Sequence, residues 1–476
     1  MKKIITLAII LTLHSSLFTL HCFAQLWGMT GLGGANNLGV IYSVNLDGSN
    51  YQVRYSFESN NGSHPNGGLI KATNGKLYGL TPFGGTNDMG VIFSFDTTTG
   101  TYTKLYDFNL TDGGYPLGSL VEAANGNLYG MTNQGGAGGY GVVFRFVPGT
   151  NTYFHVFDFN GGDGGYPYNS LTKASDGMLY GMTYYGGLGY PDGIAFKVNP
   201  QNNAFTNIIY FGANLSGSVV ANPYGNLIKA SNNKLYGLDF GGGNIFDIDS
   251  AGIATNVGSI GSNYGSLMQA SDGQLYGINQ DVIFGFNTTT SNYIGYATTY
   301  PASPIGELIE ARYRKLYGIT RSGGTNNKGT IFYYNLDNNN ITYIHNFDSA
   351  NGSGYFYYEY NFPGEYQAMV PWGDLLNLSI DAGINDLNKS NQPIITVSPN
   401  PFSDFTTLTI KSDVNINSGS IVIYDITGRE VQSIEGISGK TDHYTVNRNQ
   451  LESGMYFYKL MSGDNEILFS GKLIIK

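Results

Sequence analysis

The chain has 476 residues, of which only 12% are charged, and Asp plus Glu outnumber Lys plus Arg by 34 to 24. That acidic balance argues against nucleic acid or anionic membranes as partners, because their phosphates would be repelled. Glycine (68), tyrosine (38) and a single cysteine describe short strands joined by tight turns, held by a large core and not by disulfides.

Residues 1–24 read as a secretory signal. Lys2 and Lys3 precede an apolar stretch, and Cys22-Phe23-Ala24 offers small residues at the positions that signal peptidase reads. His21 before Cys22 does not suit a lipid anchor. Cleavage after Ala24 removes the one cysteine, and with it any thiolate nucleophile or cysteine-held metal. No later stretch reaches the run of about 18 apolar residues that a membrane helix needs, so the mature chain is expected to have no transmembrane segment.

From Leu26 onward the chain repeats itself. The clearest copy is Lys76-Leu77-Tyr78-Gly79-Leu80-Thr81, then Gly84-Gly85, then Gly90-Val91-Ile92-Phe93-Ser94-Phe95. Counterparts start at Leu26, Leu128, Leu179, Leu235, Leu275 and Leu316, in steps of 51, 51, 51, 56, 40 and 41 residues. One period predicts four strands: Gly68–Ala72, Leu77–Thr81, Val91–Asp96 and Tyr102–Asn109. Asn74-Gly75, Asp176-Gly177 and Asp272-Gly273 are hairpin signals in which both turn residues are expected at positive φ. The third and fourth strands alternate apolar and polar residues, as half-buried strands do.

Four strands per repeat predict an all-β fold, a β-propeller of seven blades over residues 25–378. The chain enters in mid-repeat, so one strand of the first blade must come from the far end. Tyr366–Val370 is the expected closing strand. If Leu375–Ser379 is instead a further copy of the repeated strand, eight blades result. The Leu-Tyr-Gly-x-Thr, Gly-Gly, Gly-x-x-Phe pattern resembles the GloVer tandem repeat of bacterial exported proteins, and more loosely kelch repeats. That resemblance implies a propeller and carries no agreed activity. Copies five and six depart from it at Leu238-Asp239 and Ile278-Asn279, which predicts shorter blades there.

Residues 379–393 read as a linker, and 394–476 as a small immunoglobulin-like β-sandwich. Pro399-Asn400-Pro401, Asp425-x-x-Gly428-Arg429, Gly454-x-Tyr456 and Lys472-Leu473-Ile474 closely resemble the type A sorting domain of the type IX secretion system. The resemblance implies the secretion machinery and its sortase as partners. It also implies delivery to the outer-membrane surface or the medium.

No catalytic set stands out. The mature histidines are His64, His155, His345 and His443, and His155 aligns with Val53, Lys104 and His345, which marks a variable strand position. Asp107 with Asp112, and Asp158 with Asp163, supply oxygens around turns. They are calcium candidates, though Asn, Asp and Gly also make such turns for backbone reasons; no other cofactor is implied. Tyr115, Tyr166, Tyr184, Tyr185 and Tyr190 are the ligand-binding candidates, since tyrosine pairs an aromatic face with a polar edge. The sequence thus predicts a non-catalytic surface binding protein for glycan or protein. The alternative is a polysaccharide lyase or glycosidase, which clustering of Asp239, Asp247 and Asp281 near the ring axis would favour. A purely structural coat protein is a third reading.

Overall fold

The glycine of each Leu-Tyr-Gly step faces an aromatic residue directly across the hairpin. Gly79 pairs with Phe93, Gly130 with Phe144, Gly181 with Phe196, Gly237 with Phe246, Gly277 with Phe284 and Gly318 with Phe332, while Gly28 pairs with Tyr42. A Cβ at Gly130 would lie 2.5 Å from Phe144 Cζ, and the other six glycines are as tightly covered. The missing side chain lets the ring lie across the second strand, which fixes the register of the two central strands of every blade.

These pairs sit in a computed structural model that describes residues 25–353, 375–378 and 394–475, apart from 188–191, 212–221, 240–242, 250–251, 261–264, 280–281, 299–303, 313, 399, 401, 426–428, 450 and 462–466. The signal-like residues 1–24, the segment Tyr366–Val370 and the linker 379–393 fall outside these. Among the described residues there are seven four-stranded antiparallel sheets and one of five strands; the one helical turn is Ser59–Asn61. Blade 2 runs Ile70–Lys71, Leu77–Thr81, Val91–Asp96 and Thr101–Asp107, from inner to outer strand.

Seven apolar clusters bridge successive blades, and the last closes the circle. Leu26, Val40 and Tyr42 of blade 1 pack on Tyr317, Ile331 and Phe347 of blade 7. Trp27 and Ile41 pack on Leu77 and Phe93 of blade 2, and the same contact recurs between each following pair. The protein is a seven-bladed β-propeller. The strand that closes blade 1 is Leu376–Leu378, paired with Gln25–Trp27, and not the expected Tyr366–Val370. Leu376–Leu378, within the segment that could have been an eighth copy, therefore closes blade 1, and the described residues hold seven blades.

Three local expectations also change. The third strand is buried on both faces (Val91–Phe95 throughout), because it lies between two neighbouring blades. The outer strand, by contrast, is half exposed. In the Asn74-Gly75 turn only Gly75 has positive φ, at 83°. Asn74 serves through its side chain, accepting from the Lys76 N–H and donating to Tyr78 OH. Blades 5 and 6 keep full-length strands, Leu235–Asp239 with Asn244–Ile248 and Leu275–Asn279 with Val282–Asn287, and lose residues from the loop between them.

The C-terminal sheet is built on two long strands, Phe405–Tyr424 and Glu430–Asn447, with register shifts between Lys411 and Ser420. Ile394–Ser398 pairs with the first part of the former, and Gly454–Met461 with its end; Ile467–Ile475 follows at the edge. Leu408, Ile410, Ile421, Ile423, Leu460 and Leu473 form one core.

Two substitutions test the cross-strand pair. Gly130→Ala forces Phe144 aside and is expected to lower stability by about 1–3 kcal/mol. Tyr42→Phe restores the residue used in the other blades and removes a buried hydroxyl that has no hydrogen-bond partner, so a gain of about 1 kcal/mol is expected. Chemical denaturation midpoints of both variants check these signs.

Candidate functional site

In every blade two kinds of loop emerge on the same side of the ring: the one joining the second and third strands, and the one leading from the outer strand to the next blade. These loops interlock. Ser63, in the loop from blade 1 to blade 2, bridges Phe83 of blade 2; Gly114 bridges Gln134, and Gly165 bridges Tyr185. The residue after each bridge reaches back to its own blade. The His64 N–H donates to Leu38 O (2.8 Å), that of Tyr115 to Met89 O (2.9 Å) and that of Tyr166 to Tyr140 O (2.9 Å).

His64, Tyr115 and Tyr166 each precede a proline and sit in the left-handed backbone region, at φ 53°, 57° and 52°. Asn222 does the same before Pro223 at 52°. Asparagine tolerates that region; a tyrosine is strained in it. The strain buttresses a row of rings. His64 meets Phe83 edge-on at 6.0 Å, and Phe83 meets Tyr115 at 5.7 Å. Tyr140 lies 5.3 Å from Tyr166, which lies 6.0 Å from Tyr185. All six are partly exposed, Tyr185 the most at 39%.

Of the tyrosines singled out from sequence, Tyr115, Tyr166 and Tyr185 belong to this row. Tyr184 is turned inward and packs with Leu117, Tyr168 and Tyr224. Tyr190 lies outside the described residues. His64, Phe83 and Tyr140 escaped the sequence reading, although His64-Pro65 stands in phase with Tyr115-Pro116 and Tyr166-Pro167.

The row flanks the mouth of the ring axis. Here the blades are joined by a chain of hydrogen bonds: Gly68 N–H to Ser119 Oγ (2.6 Å), Ser119 N–H to Ser170 Oγ (2.8 Å), Ser170 N–H to Asn226 Oδ1 (2.8 Å) and Asn226 N–H to Ser266 Oγ (3.1 Å). A small, half-open cavity remains, lined by Asn66, Ser119, Tyr168, Asn169, Asn226 and Ser266 among others.

The carboxylates named as calcium candidates are engaged by protein donors. Asp107 accepts from the Thr86 N–H and pairs with Lys104 (2.9 Å). Asp112 accepts from Tyr106 OH (2.6 Å) and Asn109 Nδ2 (2.8 Å). Asp158 accepts from the Ala137 N–H (2.9 Å), and Asp163 from Asn160 Nδ2 (3.0 Å). His155 stands between Asp112 (3.3 Å) and Asp158 (3.2 Å), so it ties its outer strand to the preceding inter-blade loop. Lys104 and Asn207 occupy the same position and reach Asn60 O and Asp163. This is an inter-blade latch, which explains why the position varies. Among the described residues no three His, Asp or Glu side chains converge in a metal-binding arrangement. Asp239 is buried against Asn244, and Asp247 pairs with Lys234 at 2.6 Å; Asp281 lies outside the described residues.

In the C-terminal sheet the motif residues act as clamps. Asp425 accepts from the Arg429 N–H (3.1 Å) and Nε (3.0 Å), closing the turn between the two long strands. Asn400 Oδ1 accepts from the Ile474 N–H (2.8 Å), and buried Tyr456 donates to Glu452 O (3.0 Å). Gly454 and Lys472 begin one edge pairing and continue it. Pro399, Pro401 and Gly428 lie outside the described residues.

Comparison with known proteins agrees with both halves. Residues 24–249 match the Gloeobacter/Verrucomicrobia repeat, and residues 396–476 match the secretion system C-terminal sorting domain. The chain thus carries repeats of the GloVer type and a type IX sorting domain. That domain places the protein at the cell surface or in the medium. No curated protein matches it. Among solved structures it is similar to virginiamycin B lyase from Staphylococcus aureus, at 14% identity and a TM-score of 0.45, covering 60% of this chain and 86% of that one. It is also similar to a puromycin-hydrolyzing peptidase of Mycobacterium tuberculosis, at 9% identity and a TM-score of 0.48, covering 82% and 58%. Likeness at this level transfers no activity.

The latch has a pH signature. Burial pushes the Asp112 carboxyl up, but the bonds from Tyr106, Asn109 and His155 outweigh it and hold its pKa below the usual value. A depressed carboxylate stabilises the fold above its unfolded pKa, and that share is lost as pH falls through its folded pKa. The melting-temperature gap between the wild type and Asp112→Asn is therefore expected to be open above about pH 4 and to close as pH falls below it.

Proposed function

We propose that the mature protein is a non-catalytic binding protein, displayed or released by the secretion machinery, whose interlocked loop face takes a glycan or protein ligand. The observation that carries this reading is the row of partly exposed rings, three of which (His64, Tyr115 and Tyr166) are held at a strained backbone. A bulky side chain kept in the left-handed region where asparagine would serve better for stability points to a role outside folding. The sorting domain delivers the propeller, and a sortase then removes it. The engaged carboxylates of the loop face favour binding that needs no calcium.

The test uses the chain from Gln25 onward, wild type and Tyr166→Asn/Tyr185→Ala, in affinity gels containing soluble polysaccharides, with calcium and with chelator. Retention of the wild type without new reducing ends, and its loss in the variant, is the expected result. Tyr166→Asn alone should melt no lower than the wild type, so lost retention would not report unfolding. New reducing ends, or retention indifferent to the variant, would contradict the proposal.

A further inference from the structure

The loop face of blades 1 to 4 has an unusual charge character. Residues 31–39, 57–69, 82–90, 108–120, 133–141, 159–171, 184–187 and 192–193 contain no Lys or Arg at all. They do contain Glu58, Asp88, Asp112, Asp163 and Asp192. The corresponding loop of blade 7, residues 321–329, carries Arg321 and Lys328. Lys104 reaches in from an outer strand to Asn60 O but is paired with Asp107, so a polyanion approaching the ring row would meet mainly carboxylates and neutral groups.

The row is also narrow, two files of three rings each. From His64 through Phe83 to Tyr115, and from Tyr140 through Tyr166 to Tyr185, each ring meets the next; His64–Phe83 and Tyr166–Tyr185 span a blade boundary, while Phe83–Tyr115 and Tyr140–Tyr166 join a blade to its own outgoing loop. Between the files Gln134, itself partly exposed, faces the loop that carries Tyr115. The residues beside the rings are glycine pairs and amides: Gly84-Gly85, Gly113-Gly114, Gly135-Gly136, Asn36 and Asn87. Asn36 and Asn87 each donate to a backbone carbonyl at the start of the inter-blade loop, Phe57 O (2.9 Å) and Phe108 O (2.8 Å). A narrow file of rings edged by backbone and amides suits a linear chain of hydroxyl-bearing rings. A protein partner would need a broad patch, on the order of 800 Å² per side, with buried anchors.

We infer that the ligand of this face is a neutral polysaccharide, laid along the arc of blades 1 to 4 with successive sugar rings against successive aromatic side chains. The inference rests on the binding reading above and narrows it to one chemistry and one path.

The experiment measures binding of the chain from Gln25 onward to neutral β-glucan and xylan oligosaccharides of increasing length, and to polygalacturonate and heparin. Three proteins are compared: the wild type, Phe83→Ala at one end of the arc and Tyr166→Asn at the other. Affinity for a neutral series is expected to rise with length until the chain spans both ends, and each variant should cost about tenfold or more on the long oligomers. On the short oligomers, only the variant whose end they occupy should lose affinity. Retention of the acidic polymers through the strip would overturn the neutral chemistry and leave the binding face standing. Affinity independent of length would overturn the path along the arc. No binding to any neutral chain would overturn the inference, and binding indifferent to both variants would remove the proposed face along with it.

Discussion

Everything in the ring depends on one cross-strand contact, an aromatic ring lying over a glycine in the middle of each blade. At Gly79, Gly130 and Gly181 the space where a Cβ would stand is filled by Phe93, Phe144 and Phe196. The ring so placed reaches into the inter-blade core: Phe93 joins Phe57 of the preceding blade, and Phe144 joins Phe108. The same small-and-large pair therefore fixes register within a blade and packing between blades. Because the contact is repeated seven times, the circle closes on itself when Leu376–Leu378 returns from the far end to pair with Gln25–Trp27.

The outer rim repeats the principle with different chemistry. Tyr55 stacks on Tyr102 at 4.0 Å, Tyr106 on Tyr153 at 4.4 Å, Phe157 on Phe205 at 3.6 Å and His345 on Tyr51 at 3.8 Å. Tyr51, Tyr102 and Tyr153 each donate their hydroxyl to a carbonyl of the preceding inter-blade loop, at Asn351, Asn61 and Asp112. Burial drives the Tyr51 and Tyr153 hydroxyls well above their usual pKa, so they stay protonated donors. Many of the chain's tyrosines are thus structural. The few on the loop face stand apart because they remain partly exposed, and Tyr115 and Tyr166 also cost backbone strain.

The period, the four strands per blade and the seven blades were legible because glycine and phenylalanine recur at a fixed spacing, and only a radial stack of sheets uses that spacing. The closing strand was misplaced for a physical reason: Leu376–Leu378 is too short to show a strand period, and the longer Tyr366–Val370 drew the assignment. The third strand looked half exposed because its alternation of aliphatic and aromatic or polar residues serves two neighbouring blades, not core and solvent. In the candidate site Tyr115, Tyr166 and Tyr185 were visible as loop tyrosines. Phe83 and Tyr140 were not, since they join the row only where a loop of one blade bridges a loop of the next. The sorting motif was recognisable as a pattern, yet Asp425, Arg429 and Asn400 act as clamps only through strands that the pattern does not show to be neighbours.

The most direct test of the account is hydrogen exchange read by mass spectrometry, with and without a retained polysaccharide. Protection is expected in residues 57–69, 82–90, 108–120 and 159–171, with none added at the opposite-face turns around Gly75, Gly126 and Gly177. Protection confined to those turns, to the outer strands or to the C-terminal sheet would contradict the claim that the interlocked loop face is where this propeller meets its ligand.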